Sequence, residues 1–237
     1  LRPRKELLLG TRGLLSSEKS VGPNDDPSEF YESIEEMSLV SGLSALRFSQ
    51  LLLLVVESTQ GRFTKLELQL AQKCLKEGRA LIVVANKRDI IRQDGVSHSQ
   101  YEKGIREHCQ RYLKDFGADV PVVACAGIEG SEKGGVRRLM HEVIRTHDAW
   151  STRISTGKLN EWLQDTLASR SFLLPTGKPL KVKYVTQERS RPPTFIFFTN
   201  TKKFPKPFET YLKSRLQHDF ALGGVPVRFV VRDTRKK

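Results

Sequence analysis

Cysteine is scarce in this chain of 237 residues: Cys74, Cys109 and Cys125 are odd in number and form no C-x-x-C pair. That excludes a disulfide scaffold and a thiolate zinc site, and it suits a reducing compartment. The five histidines, at positions 98, 108, 141, 147 and 218, lack metal-ligand spacing with the cysteines or with one another, so they read as surface or core residues. Long apolar runs are missing too. The longest block, Leu51 to Val56, is strand-sized and far short of a membrane-spanning helix, and nothing resembles a signal peptide. The chain begins without Met and, on the reading below, inside a domain, as part of a longer protein would.

What is present is a soluble, globular composition, 38% apolar and 28% charged, with length for one or two domains. The net charge of +13 is unevenly placed. Residues 151–237 hold 18 Lys and Arg against 6 Asp and Glu, whereas residues 1–150 are close to neutral. A neutral module followed by a cationic one suggests that the second faces a polyanion, nucleic acid being the first candidate and a merely solvated surface the plain alternative.

The stretch with the most chemical content is Ala80 to Ile91, ALIVVANKRDII. Its apolar, β-branched part reads as a buried strand, and Asn86-Lys87-Arg88-Asp89 falls where that strand ends. Parallel α/β sheets bind ligands at that edge. A carboxylate at Asp89 can accept from both the ring N–H and the exocyclic amine of guanine, a pair of donors that adenine lacks. The methylenes of Lys87 suit a flat base, and the Asn86 amide can tie neighbouring loops together. A polar loop closing a strand is the other reading of these four residues.

On either side, helices alternate with short strands. Ile34, Met37, Val40, Leu43 and Leu46 predict a helix over 30–48, and Leu51 to Val56 a strand. Thr64 and Glu67 have capping-box spacing for a helix ending near Gly78. A helix from about Ser99 to Phe116, a strand Pro121 to Ala126 and a helix Val136 to His147 follow. This order predicts β-α-β units and a parallel sheet with helices on both faces. The small residues Ala124, Cys125, Ala126 and Gly127 after the third strand let backbone approach a ligand, and the Ala126 N–H is placed to donate to a guanine carbonyl. Residues 1–37 read as an irregular or mobile segment.

From Trp150 the pattern changes. A helix through Leu159, Trp162, Leu163 and Leu167 precedes strands Lys181 to Gln187 and Thr194 to Asn200, which flank a basic loop, Glu188 to Pro193. A helix striped by Phe208, Tyr211, Leu212, Leu216 and Phe220 and a strand Val225 to Val231 complete an α-β-β-α-β order, a small sheet with helices on one face. Lys181, Lys183, Arg189, Arg191, Arg228, Arg232, Arg235, Lys236 and Lys237 are its candidate RNA contacts, through phosphates. Phe195, Phe197 and Phe198 can stack on bases or fill the core of a small sheet.

Several blocks of this second half, in order, carry a family resemblance: Ile154-Ser155-Thr156 with Leu159-Asn160, Lys183-Tyr184-Val185-Thr186-Gln187, Arg191-Pro192-Pro193-Thr194-Phe195, Tyr211-Leu212 and Gly224-Val225-Pro226-Val227-Arg228. The chain resembles the EngA (Der) family of ribosome-assembly GTPases from about Ser38 onward. The resemblance implies the later part of a P-loop-type G domain over 38–150, followed by an α+β KH-like domain over 151–237. It places Asn86, Lys87 and Asp89 on the guanine-specificity motif and Cys125-Ala126 on the loop usually written Ser-Ala. It further implies GTP or GDP as ligand, Mg²⁺ where a phosphate-binding loop exists, GTP hydrolysis, and the large ribosomal subunit precursor with its rRNA and ribosomal proteins as partners.

The departures are specific. The chain has no G-x-x-x-x-G-K-[ST], no Asp-x-x-Gly before the 30–48 helix, and no G-x-x-G within residues 151–237. Glu57 stands where the family commonly has Asp, and Cys125 where it has Ser. Two further function classes therefore stand beside a GTPase: a non-hydrolysing G-domain scaffold that binds pre-ribosomal RNA or protein, and a platform for acidic proteins. The divergent first 37 residues, the basic tail and the family's occurrence in bacteria and organelles point to a mitochondrion or plastid, with a bacterial cytoplasm as the other location.

Overall fold

The computed structural model describes residues 7–10, 42, 44–57, 62–87, 89, 98–113, 119–127, 134–168, 172, 177 and 179–234. Four strands, β1 (Leu7–Gly10), β2 (Leu51–Glu57), β3 (Ala80–Asn86) and β4 (Val122–Ala124), form one parallel sheet in the order β1-β2-β3-β4. Helices α1 (Lys65–Lys76), α2 (His98–Leu113) and α3 (Val136–Ser151) connect or follow them. The expected helix over 30–48 lies largely outside the described residues; a helical turn through 44–46 is its described part. Within the segment expected to be irregular, the Leu-rich run 7–10 pairs in parallel with β2 as an edge strand.

Both faces of this sheet are covered, which is why β2 and β3 read as continuous apolar runs. Leu52, Leu54, Leu81, Val83 and Ala85 pack among Leu70, Cys74, Ile105 and Cys109 of α1 and α2. Their alternates Leu51, Leu53, Ile82 and Val84 pack among Leu139, Val143 and Trp150 of α3. Thr64 caps α1 as its spacing predicts: its Oγ1 accepts from the Glu67 N–H at 3.2 Å, and Glu67 Oε2 accepts from the Thr64 N–H at 2.8 Å.

Beyond Ser151 the chain forms α4 (Thr156–Ala168), β5 (Val182–Ser190), β6 (Pro193–Thr199), α5 (Lys206–Asp219) and β7 (Arg228–Asp233). β5 and β6 are antiparallel, β6 and β7 parallel, in the order β5-β6-β7. The α-β-β-α-β order holds, with two differences. The basic stretch Glu188 to Ser190 continues the strand, so the hairpin is tight around Arg191-Pro192. The last strand begins at Arg228, because Val225, Pro226 and Val227 are buried in the junction with the first module instead of lying in a ladder.

Polar side chains hold the second module together. Gln187, 5% exposed, accepts from the Ile154 N–H at 2.7 Å and donates to the Thr152 carbonyl at 3.0 Å, fixing the link between α3 and α4. Asn160 of α4 makes paired bonds, 2.9 Å each, with the N–H and carbonyl of Val185 and so satisfies the free edge of β5.

The modules meet at the amino ends of β3 and β4. There Gly224 continues the first sheet's hydrogen-bond ladder: the Leu81 N–H donates to its carbonyl at 2.9 Å, and its own N–H donates to the Asp119 carbonyl at 3.0 Å. Its φ is +73°, and a Cβ would lie 2.6 Å from the Leu81 oxygen. Trp150 Nε1 donates to the Gly78 carbonyl at 2.9 Å, Arg191 lies 5.8 Å over the Trp150 ring, and Arg228 donates to the Lys76 carbonyl at 3.1 Å.

Two predictions follow from this packing. Gly224→Ala adds a methyl where both space and φ forbid it, and should lower unfolding stability by about 2 kcal/mol or more in urea denaturation. His108 Nδ1 accepts from the Phe63 N–H at 3.0 Å, and burial, helped by Arg111 and Arg62, holds its pKa below the ordinary histidine value. The unfolded chain then binds the proton more readily. The contribution is complete above the unfolded value of about 6.5 and is lost as pH falls through the depressed folded value. The melting temperature should drop over that interval, and His108→Gln should flatten the drop.

Candidate functional site

Three carboxyl ends converge at the edge of the first sheet opposite the junction. In the β2–β3 register Glu57 faces Asn86, and Ala85 faces Ala124 of β4. The chain after β4 stays alongside β3, since the Cys125 N–H donates to the Ala85 carbonyl at 2.8 Å. Asn86 Oδ1 then accepts from the Gly127 N–H at 3.3 Å, the loop-tying role expected of it. Lys87 follows with φ of +66°, a left-handed conformation uncommon outside glycine, and its Nζ meets Glu57 Oε1 at 2.6 Å. Asp89 is half-buried. The sequence motif therefore becomes a cluster built from three neighbouring strands.

One expected donor is engaged differently. The Ala126 N–H, read from the sequence as free for a base carbonyl, donates to the Gly134 carbonyl at 2.8 Å. The chain must turn there to start α3, and the buried amide is satisfied within that turn. Cys125 and Ala126 are 3% and 0% exposed, so they form a small-residue wall. Sequence reasoning did not join Glu57 to Lys87; its signals were an acid closing β2 and a position where the resembled family commonly has Asp.

The other cysteines do no chemistry at this edge. All three are buried and none is in a disulfide, and burial pushes the Cys109 thiol up to about 12 and raises that of Cys74 as well. Such thiols are poor nucleophiles and poor metal ligands. Among the described residues no group of three or more His, Cys, Asp or Glu could hold a metal ion, and no helix is long and apolar enough to cross a membrane.

The candidate RNA cations fall into three sets. Arg191 and Arg228 sit in the junction between modules, against Trp150 and the Lys76 carbonyl. Lys181, Lys183, Arg189 and Arg232 are exposed on β5, β7 or the chain leading into β5. Arg235, Lys236 and Lys237 lie outside the described residues. Of the three candidate stacking aromatics, Phe195 and Phe197 are core at 0% exposure, and Phe198 faces outward, half-buried.

A parallel α/β layer with a polar cluster at its carboxyl edge, joined to a KH-like three-stranded module, is the architecture on view. The family description "KH-domain-like of EngA bacterial GTPase enzymes, C-terminal" matches residues 153–232. The chain is 37% identical over 209 residues to GTPase Der of Mesorhizobium japonicum, covering 86% of this chain and 41% of that protein. It is 34% identical over 233 residues to GTPase Der of Brucella anthropi, covering 98% of this chain and 44% of that protein. Era of Aquifex aeolicus, solved with GDP and aluminium fluoride, superposes with a TM-score of 0.35 at 14% identity over 84% of this chain and 69% of that one, a score too low to carry an argument. The chain belongs to the EngA (Der) family, and it spans less than half the length of these curated relatives.

Proposed function

We propose that this chain binds guanine nucleotide at the carboxyl edge of β3 and docks through its cationic module on rRNA of the large ribosomal subunit precursor, as a GTP-hydrolysing biogenesis factor. The observation that carries the proposal is the tie of Asn86 to Gly127 and of Lys87 to Glu57 beside the buried Cys125-Ala126 stretch, two residues before the half-buried Asp89, in a chain akin to GTPase Der. Asp89 selects guanine by accepting from its two adjacent donors. Glu57 fixes the far end of Lys87, whose methylenes lie on the base. Asn86 holds the β4 loop against β3. Cys125 and Ala126 contribute a close wall, and the Ala126 amide takes no part while Gly134 occupies it.

The cluster accounts for the base alone; no residue of this chain is assigned to the phosphates or to Mg²⁺. The module's excess of cations supports contact with rRNA, through Lys181, Lys183, Arg189, Arg232 and the Arg235-Lys236-Lys237 tail. Ribosomal proteins of the same particle are partners on the same proposal, and a mitochondrion or plastid is its compartment. The second reading, a scaffold that does not hydrolyse GTP, is the one that a full-length protein without G-x-x-x-x-G-K-[ST] would favour.

The test is nucleotide binding by the full-length protein. Asp89→Asn should weaken GDP and GTP binding by about 100-fold or more while creating affinity for xanthine nucleotides, whose extra carbonyl matches the new amide. Unchanged guanine affinity in that variant would remove the base-selection role. Binding without turnover on ribosomal particles selects the scaffold reading.

A further inference from the structure

The face of the β5-β6-β7 sheet turned away from the buried core presents three cross-strand rows, fixed by the pairing register. They are Tyr184, Phe198 and Arg232; Thr186, Ile196 and Val230; and Arg189, Thr194 and Arg228. The alternate residues, Val185, Phe195, Phe197 and their neighbours, fill the core. No acid occupies any of these paired positions, although Glu188 sits in the bulge beside Arg189. In the third row Arg228 meets the Lys76 carbonyl at the junction, while Arg189 is exposed at the edge. The first row lies at the opposite end of the sheet.

In that first row Tyr184 and Phe198 stack with ring centroids 4.2 Å apart and planes 14° from parallel. Tyr184 is 44% exposed and lies on the edge strand β5, so a third flat ring can extend the stack from its side. Arg232 flanks Phe198 on the other side, and Lys183, in the bulge, adjoins Tyr184. A stacked aromatic pair bracketed by cations offers what single-stranded nucleic acid needs, π-faces for bases and charges for the backbone between them. A protein partner would need a broader apolar centre than this pair and Val230 supply.

We propose that the outer face of this sheet is a stacking platform for unpaired RNA, with a base on Tyr184 and flanking phosphates on Lys183 and Arg232. It rests on the reading that the cationic module binds rRNA, and it names the site and the single-stranded form of the ligand. A duplex is excluded from the stack because its bases are already paired and stacked internally.

The test uses the full-length protein and a fluorescein-labelled oligouridine of about eight nucleotides, compared with an RNA duplex of equal length, read by fluorescence anisotropy. The single strand should bind more tightly than the duplex. Tyr184→Leu and Phe198→Leu, each shown folded by thermal melting, should weaken single-strand binding about tenfold, and Tyr184→Phe should leave it within about twofold. Photocrosslinking of the unmodified protein to 4-thiouridine RNA should map to Tyr184 or Phe198, an outcome that does not depend on any variant folding. Folded leucine variants with unchanged affinity, or crosslinks confined to other residues, overturn the platform while RNA binding by the module stands. Failure of the unmodified protein to bind either oligouridine or ribosomal RNA overturns both.

Discussion

The approach of Gly224 to the end of the first sheet is the constraint on which the arrangement of this molecule depends. Strand β4 is short, and at the level of Leu81 it supplies no partner for β3; the backbone of Gly224 takes that place and bonds to both Leu81 and Asp119. The first module's ladder is thus completed by the second. Because the contact is backbone to backbone, it tolerates no side chain, and across the junction at Gly78, whose φ is also positive, a Cβ would meet the Pro192 ring at 2.7 Å. Around these two glycines the apolar core runs without a break from Leu51 and Ile82 through Trp150 to Phe195 and Phe208. Independent movement of the modules would expose that core and strand buried amides, so they behave as one packed body.

This junction sorts residues that a linear reading puts in one class. Basic side chains of the second module look alike in the sequence, yet Arg191 and Arg228 serve the seam and Lys183 and Arg232 face away from it. A guanidinium stacked on Trp150 or bonded to a helix-end carbonyl is anchored at the seam, although both side chains keep exposed surface. The aromatic residues divide in the same manner, since strand alternation sends Phe195 and Phe197 inward and Phe198 outward.

Much of the fold was legible because local rules and tertiary packing agree. The Thr64–Glu67 capping box, the apolar strands β2 and β3, and the change of pattern after Trp150 each read true from spacing alone. The misreadings share one physical origin: contacts distant in sequence. Glu188-Arg189-Ser190 looked like a loop because its side chains are polar, but they stand on a solvent-facing edge strand. Val225-Pro226-Val227 looked like a strand because it is apolar, and it is apolar because it is buried next to Gly224, where the modules meet. At the candidate site the motif Asn86-Lys87-Asp89 was visible as a string. The Glu57 partner of Lys87 and the Gly134 partner of Ala126 were not, since each comes from a neighbouring element brought close only by the sheet.

The carboxyl edge of the first sheet, where the Asn86 cluster lies, and the junction with the second module are at opposite ends of β3. Leu81 and Asn86 mark the two ends of β3, roughly 16 Å apart at the rise of a parallel strand. A coupling between the two ends has to cross the junction. Helix α3 is the element that touches both ends. Its start follows Gly134, whose carbonyl holds the Ala126 amide, and its last turn carries Trp150, bonded to Gly78 and covered by Arg191. A base carbonyl that drew the Ala126 amide away from Gly134 would act on the first turn of α3. Trp150, in the last turn of the same 16-residue helix, is where the second module is held, so the two ends of α3 join the candidate site to the junction through one packed element.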